Sequence, residues 1–119
     1  MKLSIFFIFF VLSFPILSET IVLSMSLEKY NREGVEITEL VRKGDTFYEK
    51  ERGIDYLILH EDKRDLILFH FNPESSTFKS RTIMINKQRM IWSNTNNTVP
   101  LFPMTDDNWM VNWGTLTIK

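Results

Sequence analysis

The chain has 119 residues, of which 44% are apolar and 24% charged, and it contains no cysteine. This length suits one compact domain, because domains centre on roughly 100–150 residues. The 14 basic and 15 acidic residues give a formal net charge of −1, so there is no basic field to attract nucleic acid. Without cysteine, the sequence excludes disulfide frameworks, thiolate metal sites and cysteine nucleophiles, and its two histidines leave little for metal chemistry. We therefore expect no cofactor and no metal.

Residues 1–18 have the order of a secretory signal peptide. Lys2 gives a short positive region, an apolar run follows it, and Ser18 is a small residue that precedes a charge. Pro15 interrupts the apolar run shortly before that point, as is common near a cleavage position. The sequence thus predicts cleavage after Ser18 and a single secreted domain over residues 19–119, with no stable membrane insertion afterwards.

An uncleaved signal anchor that tethers the protein to a membrane is the alternative. The 16 residues from Leu3 to Ser18 are fewer than the ~20 needed to span a bilayer, although apolar residues resume at Ile21–Leu23. No later apolar stretch reaches that length. Secretion is therefore the favoured interpretation.

Turn-forming residues recur along the chain after residue 20 at short, even spacing, and the sequence contains no alanine. The segments between the turns are rich in β-branched and aromatic residues, which favour strands. Consecutive hairpins predict an all-β antiparallel meander of seven or eight strands, closed as a small barrel, with a flattened sandwich as the alternative. The predicted strands cover residues 20–30, 35–42, 46–51, 54–60, 65–71, 77–85, 88–93 and 109–118.

The hairpin of residues 54–71 allows a register to be proposed by inspection. With the loop at Asp62–Lys63, Ile58 faces Ile67 and every other pair is apolar with apolar or acid with base. Both faces of this hairpin are then apolar, so we expect one to form the core and the other to contact a second layer, a cavity or a partner. The predicted faces are Ile54, Tyr56, Ile58, Ile67, Phe69 and Phe71 on one side, and Leu57, Leu59, Leu66 and Leu68 on the other.

The same register pairs His60 with Asp65 and His70 with Asp55. A carboxylate that orients an imidazole is part of a general-base arrangement. However, the two pairs lie on opposite faces of the hairpin, and no serine has the spacing of a nucleophile elbow. We interpret both as cross-strand charge pairs and predict a protein that is not an enzyme, with no catalytic residue.

Two further features concern the last two predicted hairpins. Asn96-Asn97-Thr98 matches the N-glycosylation sequon, so Asn96 is a predicted glycan attachment site if the host is a eukaryote. In the last strand the apolar residues move from odd to even positions near Gly114, which predicts a β-bulge there.

The candidate binding residues are aromatic side chains and one apolar loop. Val99–Met104 contains two prolines and cannot be a regular strand, so we predict that it covers a barrel mouth or presents an apolar patch. The aromatic residues either line a cavity for an apolar ligand or form the core. The candidate ligand-binding or partner-binding residues are Tyr56, Phe69, Trp92, Leu101, Phe102, Trp109 and Trp113.

Two functions fit these observations. The first, slightly favoured, is a secreted interaction module that binds an extracellular protein partner through a strand edge, a sheet face or the apolar loop. The second is a carrier that encloses a small apolar ligand. A secreted eight-stranded meander resembles lipocalin-type barrels in architecture only, because the early Gly-x-Trp motif and the paired cysteines are missing. The short chain also favours the module, since a small barrel filled by its own core has little room for a ligand.

Overall fold

The structure, a computed structural model, describes residues 19–75, 79–97 and 109–119, without the side chains of Trp109 and Met110. The predicted signal peptide and the predicted apolar loop with Leu101 and Phe102 lie outside these ranges. A 3₁₀ turn, Glu28–Tyr30, follows the first strand. The strands are β1 (Thr20–Ser26), β2 (Val35–Lys43), β3 (Thr46–Glu49), β4 (Ile54–Glu61), β5 (Asp65–Phe71), β6 (Ser80–Asn86), β7 (Ile91–Asn97) and β8 (Trp109–Ile118).

Each strand pairs antiparallel with the next one along the chain, and β8 pairs back with β1. The eight strands therefore form a closed up-and-down barrel, which confirms the predicted all-β meander and its barrel form rather than the flattened sandwich. Each of the eight described strands has a neighbour on both sides, so no whole strand edge is left unpaired. Partial edges remain where neighbours are short or staggered: residues 35–39 of β2 pair only with β1, and residues 109–113 of β8 pair only with β7.

The barrel interior changes character along the barrel axis. We call the end with the β2–β3, β4–β5 and β6–β7 turns the apolar end, and the opposite end the polar end. Strand alternation sends every second side chain inward, and in the half near the apolar end these side chains make a packed hydrophobic core. Toward the polar end the buried side chains include Thr38, Glu49, Arg81, Asn94, Asn96 and Asn112.

The register predicted for the central hairpin is wrong by two residues beside the turn, where Glu61 faces Leu66, and by one residue further along the strands. Ile58 pairs with Leu68, not Ile67, and a bulge between Ile58 and His60 shifts the pairing again, so that His60 faces Ile67. A one-residue slip exchanges the faces of a strand. Consequently the inward face of the hairpin combines Ile54 and Tyr56 with Leu66 and Leu68, and the outward face combines Leu57 and Leu59 with Ile67, Phe69 and Phe71.

The turn at the hairpin tip accounts for the two-residue shift beside it, and the bulge in β4 leaves the one-residue slip that exchanges the faces. Oδ1 of Asp62 accepts hydrogen bonds from the backbone N–H groups of Arg64, at 2.8 Å, and Asp65, at 2.6 Å. These bonds, the largest of them from Asp65, hold the pKa of the Asp62 carboxyl well below its usual range. The side chain of Asp62 thus shapes a loop that is longer than the predicted two residues.

The bulge predicted at Gly114 is also wrong. The pairing of β7 with β8 runs without a shift from Ile91–Thr115 to Asn97–Trp109. Even positions of β8 face inward on both sides of the glycine, as the buried Asn112 and Leu116 show. The apolar residues before Gly114 lie at odd positions because the outward-facing Val111 and Trp113 are themselves apolar.

An ion-pair cluster at the apolar end makes stability depend on pH. Glu61 accepts a hydrogen bond from Arg42 and lies 3.4 Å from Nζ of Lys87. The Arg42 hydrogen bond is the main cause that lowers the pKa of Glu61 below its ordinary value of 4.5. A lowered folded-state pKa adds stability above the unfolded pKa, and this stability is lost as the pH falls through the folded value.

Glu61→Gln is therefore expected to lower the free energy of unfolding at pH 7 by about 0.5–1 kcal/mol, because the pair is partly exposed. At pH 3, where the wild type has lost part of this contribution, the difference should shrink. Urea denaturation at both pH values measures it, with exposed Glu39 replaced by Gln as the matched control. A deficit that is equal at the two pH values would contradict the assignment.

Candidate functional site

Apolar side chains occupy many of the outward positions of the barrel from β4 to β8, between polar ones. These apolar side chains lie at alternate positions of each strand and point outward, while the residues between them point into the barrel. Trp113 and Met84 are among the most exposed, with 57% and 53% of their surface accessible. A contiguous exposed apolar surface on a small domain is typical of an interaction site. This outer apolar band consists of Leu57, Leu59, Ile67, Phe69, Phe71, Met84, Ile91, Val111 and Trp113.

A groove of about 700 Å³ lies on the barrel wall and is lined partly by the band. The band contributes Ile67, Met84, Ile91 and Trp113, and the other lining residues are His60, Asp65, Ile85, Asn86, Trp92, Ser93 and Gly114. The central residues of the groove form one cross-strand row, in which Ile67 pairs with Met84, Met84 with Ser93, and Ser93 with Trp113. Ser93 is small, so it leaves space between the larger side chains of Met84 and Trp113 on either side of it. We call this feature the outer groove, and its volume is in the range of sites that bind small molecules or anchor side chains, roughly 300–1,000 Å³.

Lys29 holds the indole of Trp113 at one side of the outer groove. The Nζ atom of Lys29 lies 3.7 Å from the centre of the indole ring, and it donates a hydrogen bond of 3.4 Å to the backbone oxygen of Trp113. A cation over an indole face is attracted by the ring quadrupole. Partial burial lowers the pKa of Lys29. The contact keeps an exposed aromatic side chain in a defined position.

A second cavity, of about 370 Å³, occupies the polar end of the barrel interior. Its walls include Arg81, Asn94, Asn96 and Asn112, with Trp92 on the side toward the core. Nδ2 of Asn112 donates to Oδ1 of Asn94 at 3.2 Å. We call this cavity the polar chamber.

Glu49 is the fully buried carboxylate beside the chamber. One oxygen accepts a hydrogen bond from Arg52, at 2.9 Å, and the other accepts one from the Tyr56 hydroxyl, at 3.1 Å. Arg81 lies 3.9 Å from Glu49 and is itself only 4% exposed. Burial raises the pKa of Tyr56, so its hydroxyl stays protonated and remains a donor.

The predicted candidate residues separate onto two faces of the barrel wall. Tyr56 and Trp92 are buried in the interior, whereas Phe69 and Trp113 lie on the outer face. Trp109 is placed in β8 opposite Asn97, and its side chain is not among those described. Phe69 and Trp113 therefore do not line one apolar cavity together with Tyr56 and Trp92, as the carrier interpretation predicted.

Asn96, the predicted glycosylation residue, lines the polar chamber and is only 9% exposed. A glycan attached there would have no room inside the closed barrel. Glycosylation of Asn96 stays a prediction that this position does not favour.

The Asp–His pairs predicted from the hairpin register do not form. His60 Nε2 donates to Oδ2 of Asp62, at 2.9 Å, while Asp65 contacts Arg64 instead. His70 Nδ1 donates to the backbone oxygen of Asp55, at 3.0 Å, and not to its carboxylate. The cause is the shifted register of β4 and β5.

Several residues that line the outer groove and the polar chamber were not identified from the sequence. Met84 lies in a plain alternating strand, and Asn94 and Asn112 lie in segments whose polarity suggests solvent. The only signal in the sequence is the alternation itself, which places Ile83 and Ile85 on the face opposite Met84.

Over residues 19–75, 79–97 and 109–119, no three side chains of the His, Asp and Glu types gather as metal ligands. Within the same ranges no helix has the length and apolar character needed to cross a membrane. Comparisons with models of known protein families, with curated protein sequences and with solved structures found no match to this chain.

Proposed function

We propose that the protein is a secreted, non-catalytic interaction module that binds an extracellular protein partner through the outer groove. The observation that supports this most directly is the outer apolar band, whose exposed Trp113 and Met84 flank a groove of about 700 Å³. Desolvated pockets that accept an aromatic or aliphatic anchor carry most of the energy of protein interfaces. The partner we propose supplies such an apolar side chain.

The closed barrel restricts the mode of binding. Strand addition, one of the modes expected from the sequence, needs a free edge, and the described barrel offers only the short one-sided stretches 35–39 and 109–113. Docking onto a sheet face needs only the outward side chains, which are already exposed. The partner therefore contacts side chains of β5 to β8 rather than their backbone.

The positions of the histidines support a non-catalytic role. Each imidazole is engaged at the ends of the central hairpin, His60 with Asp62 and His70 with a backbone carbonyl. Neither residue is oriented by the carboxylate that the general-base interpretation requires. The alternative of an apolar carrier has less support, because the interior cavity has arginine and asparagine walls.

Photo-crosslinking tests the interaction. With a benzoylphenylalanine in place of Met84, the protein is expected to form one discrete adduct with a partner in the extracellular fluid of its source. Trp113→Glu should reduce the yield of this adduct at least tenfold, because it puts a charge at the centre of the apolar contact. Trp113 is exposed, so the variant should keep the thermal midpoint of the wild type.

The matched control carries the crosslinker at Glu39, an exposed position of β2 on the far side of the barrel. It should give no such adduct. The same adducts from both positions, or none from Met84, would contradict the proposed site. An adduct with twice the mass of the chain would show that the groove binds a second copy of the chain and not a foreign partner.

Export is tested separately. N-terminal sequencing of protein recovered from the medium of a secreting host is expected to begin at Glu19, because the signal order predicts cleavage after Ser18. Material that starts at Met1 and stays in the membrane fraction would instead support the uncleaved anchor.

A further inference from the structure

We propose that the polar chamber binds a small organic carboxylate that also carries hydroxyl groups, of the size and chemistry of a sugar acid. The chamber lies inside the barrel, whereas the outer groove lies outside it, so this inference is independent of the proposed protein partner. Its volume of about 370 Å³ is in the lower part of the range for ligand sites, roughly 300–1,000 Å³.

The first argument comes from Asn96. Its side chain is 91% buried, and its Oδ1 atom has no hydrogen-bond partner among the described residues. A buried carbonyl oxygen without a donor costs free energy, and such atoms are rare in folded proteins. A ligand hydroxyl inside the chamber would donate the missing hydrogen bond.

The neighbouring amides are already fixed by other contacts. Asn112 donates to Asn94, and its own Oδ1 accepts a hydrogen bond from the hydroxyl of Tyr30. These bonds hold the side chains of β7 and β8 in place, so the chamber has a defined shape before any ligand enters. A preformed polar wall with one unsatisfied acceptor is the pattern expected of a site for a hydroxylated molecule.

The second argument concerns charge. Arg81 is paired with Asn96 across β6 and β7, so its guanidinium and the unsatisfied carbonyl belong to neighbouring positions of one wall. An arginine has five N–H donors in a planar fork, which suits a carboxylate, and it can keep its contact with Glu49 while it binds another acceptor. The charged residues around the chamber carry an excess of one positive charge, because there are three arginines and two glutamates. They are Arg32, Arg52, Arg81, Glu36 and Glu49.

The third argument is the apolar part of the wall. Trp92, Met25 and Leu27 line the chamber beside the polar groups. The indole of Trp92 is fixed by a hydrogen bond of 3.1 Å from its Nε1 to the backbone oxygen of Ser24. A rigid indole next to hydrogen-bonding amides can contact the C–H face of a ring whose edge carries hydroxyl groups.

Isothermal titration of the purified full chain tests the proposal, with D-glucuronate as the probe. We expect saturable binding of one molecule per chain. Glucose, which lacks the carboxylate, and hexanoate, which lacks the hydroxyl groups, should each bind at least tenfold more weakly. The three compounds are compared on the wild-type protein, so this part of the test needs no variant.

Two variants then locate the site. Asn96→Leu removes the unsatisfied carbonyl and keeps the branched shape of the side chain, so it should reduce glucuronate affinity at least tenfold while the thermal midpoint stays equal or rises. A residue with a merely structural role would instead lower the midpoint. Thr95→Val, next to it on the outer face of β7, is the matched control and should bind as the wild type does.

No saturable heat with glucuronate on the folded wild type would overturn the proposal. So would equal affinity for the three compounds, or an Asn96→Leu protein that folds and binds as the wild type does. If Asn96→Leu does not fold, the comparison of the three compounds on the wild type decides the matter alone.

Discussion

Gly114→Ala is expected to lower the free energy of unfolding by about 3–5 kcal/mol, a large effect for the addition of one methyl group. A Cβ at this position would lie 1.8 Å from the backbone oxygen of Ser24 and 2.9 Å from its carbonyl carbon. Ser24 belongs to β1, and its backbone pairs with β8 at Thr115, so the clash falls on the seam that closes the barrel. Backbone atoms cannot turn aside as a flexible side chain can.

The seam has a second contact that the methyl group would disturb. Nε1 of Trp92 donates to the oxygen of Ser24, and the same nitrogen would be 2.9 Å from the new Cβ of residue 114. The indole therefore passes over a position that only glycine leaves open. Relief of the clash requires β1 and β8 to separate, which would break this hydrogen bond as well.

Urea denaturation followed by tryptophan emission measures the loss. Gly44→Ala is the control, because no atom lies within 4 Å of its added Cβ and only its φ of +62° opposes the change. That variant should cost about 1–2 kcal/mol from backbone conformation alone. Equal losses in the two variants would show that the close approach at the seam is not what requires glycine.

Glu49→Leu is the second change with a large expected effect, a loss of about 3–5 kcal/mol. The carboxylate is fully buried, and it accepts hydrogen bonds from Arg52 and Tyr56 while it lies 3.9 Å from the buried Arg81. Without it, the Arg81 charge remains in the interior beside an apolar side chain. Removal of one partner costs far more than the net value of the pair, because the other charge stays desolvated.

A double variant separates this cause from a packing defect. Glu49→Leu combined with Arg81→Met removes both charges, so we expect it to recover a substantial part of the loss in the same denaturation assay. Arg52→Ala should cost less than Glu49→Leu, because Arg52 lies partly in solvent. A double variant that is less stable than the single one by the full cost of Arg81→Met would contradict the charge explanation.

Strand boundaries show where local signals were sufficient and where they were not. The prediction for β5, residues 65–71, matches Asp65–Phe71, because turn residues flank a strongly apolar segment. The prediction for β7 ended at residue 93, but the strand continues to Asn97. Asparagine favours turns through local hydrogen bonds, and here pairing with β6 and β8 overrides that preference.

The residues of the candidate site were also predicted only in part from the sequence. The number of aromatic residues was enough to single out Trp113 and Phe69 as binding residues, yet it could not place them outside the barrel. The face that Phe69 occupies depends on the register of the hairpin of residues 54–71, and the face of Trp113 depends on the pairing of β8 with β7. The polar chamber left no local signal, because polar residues at alternate positions suggest solvent whichever side of the sheet they occupy.

By itself, the sequence determined that this chain forms an antiparallel β-meander without disulfides, because alternation and turn chemistry act over a few neighbouring residues. The tertiary structure decided between the predicted barrel and the flattened sandwich, since the contact of β8 with β1 joins strands from opposite ends of the domain. Closure in turn defined an inside and an outside, and the bulge in β4 placed Phe69 and Phe71 on the outside. The outer groove and the polar chamber exist only once both choices have been made, because each is assembled from side chains of several strands that are distant in the sequence.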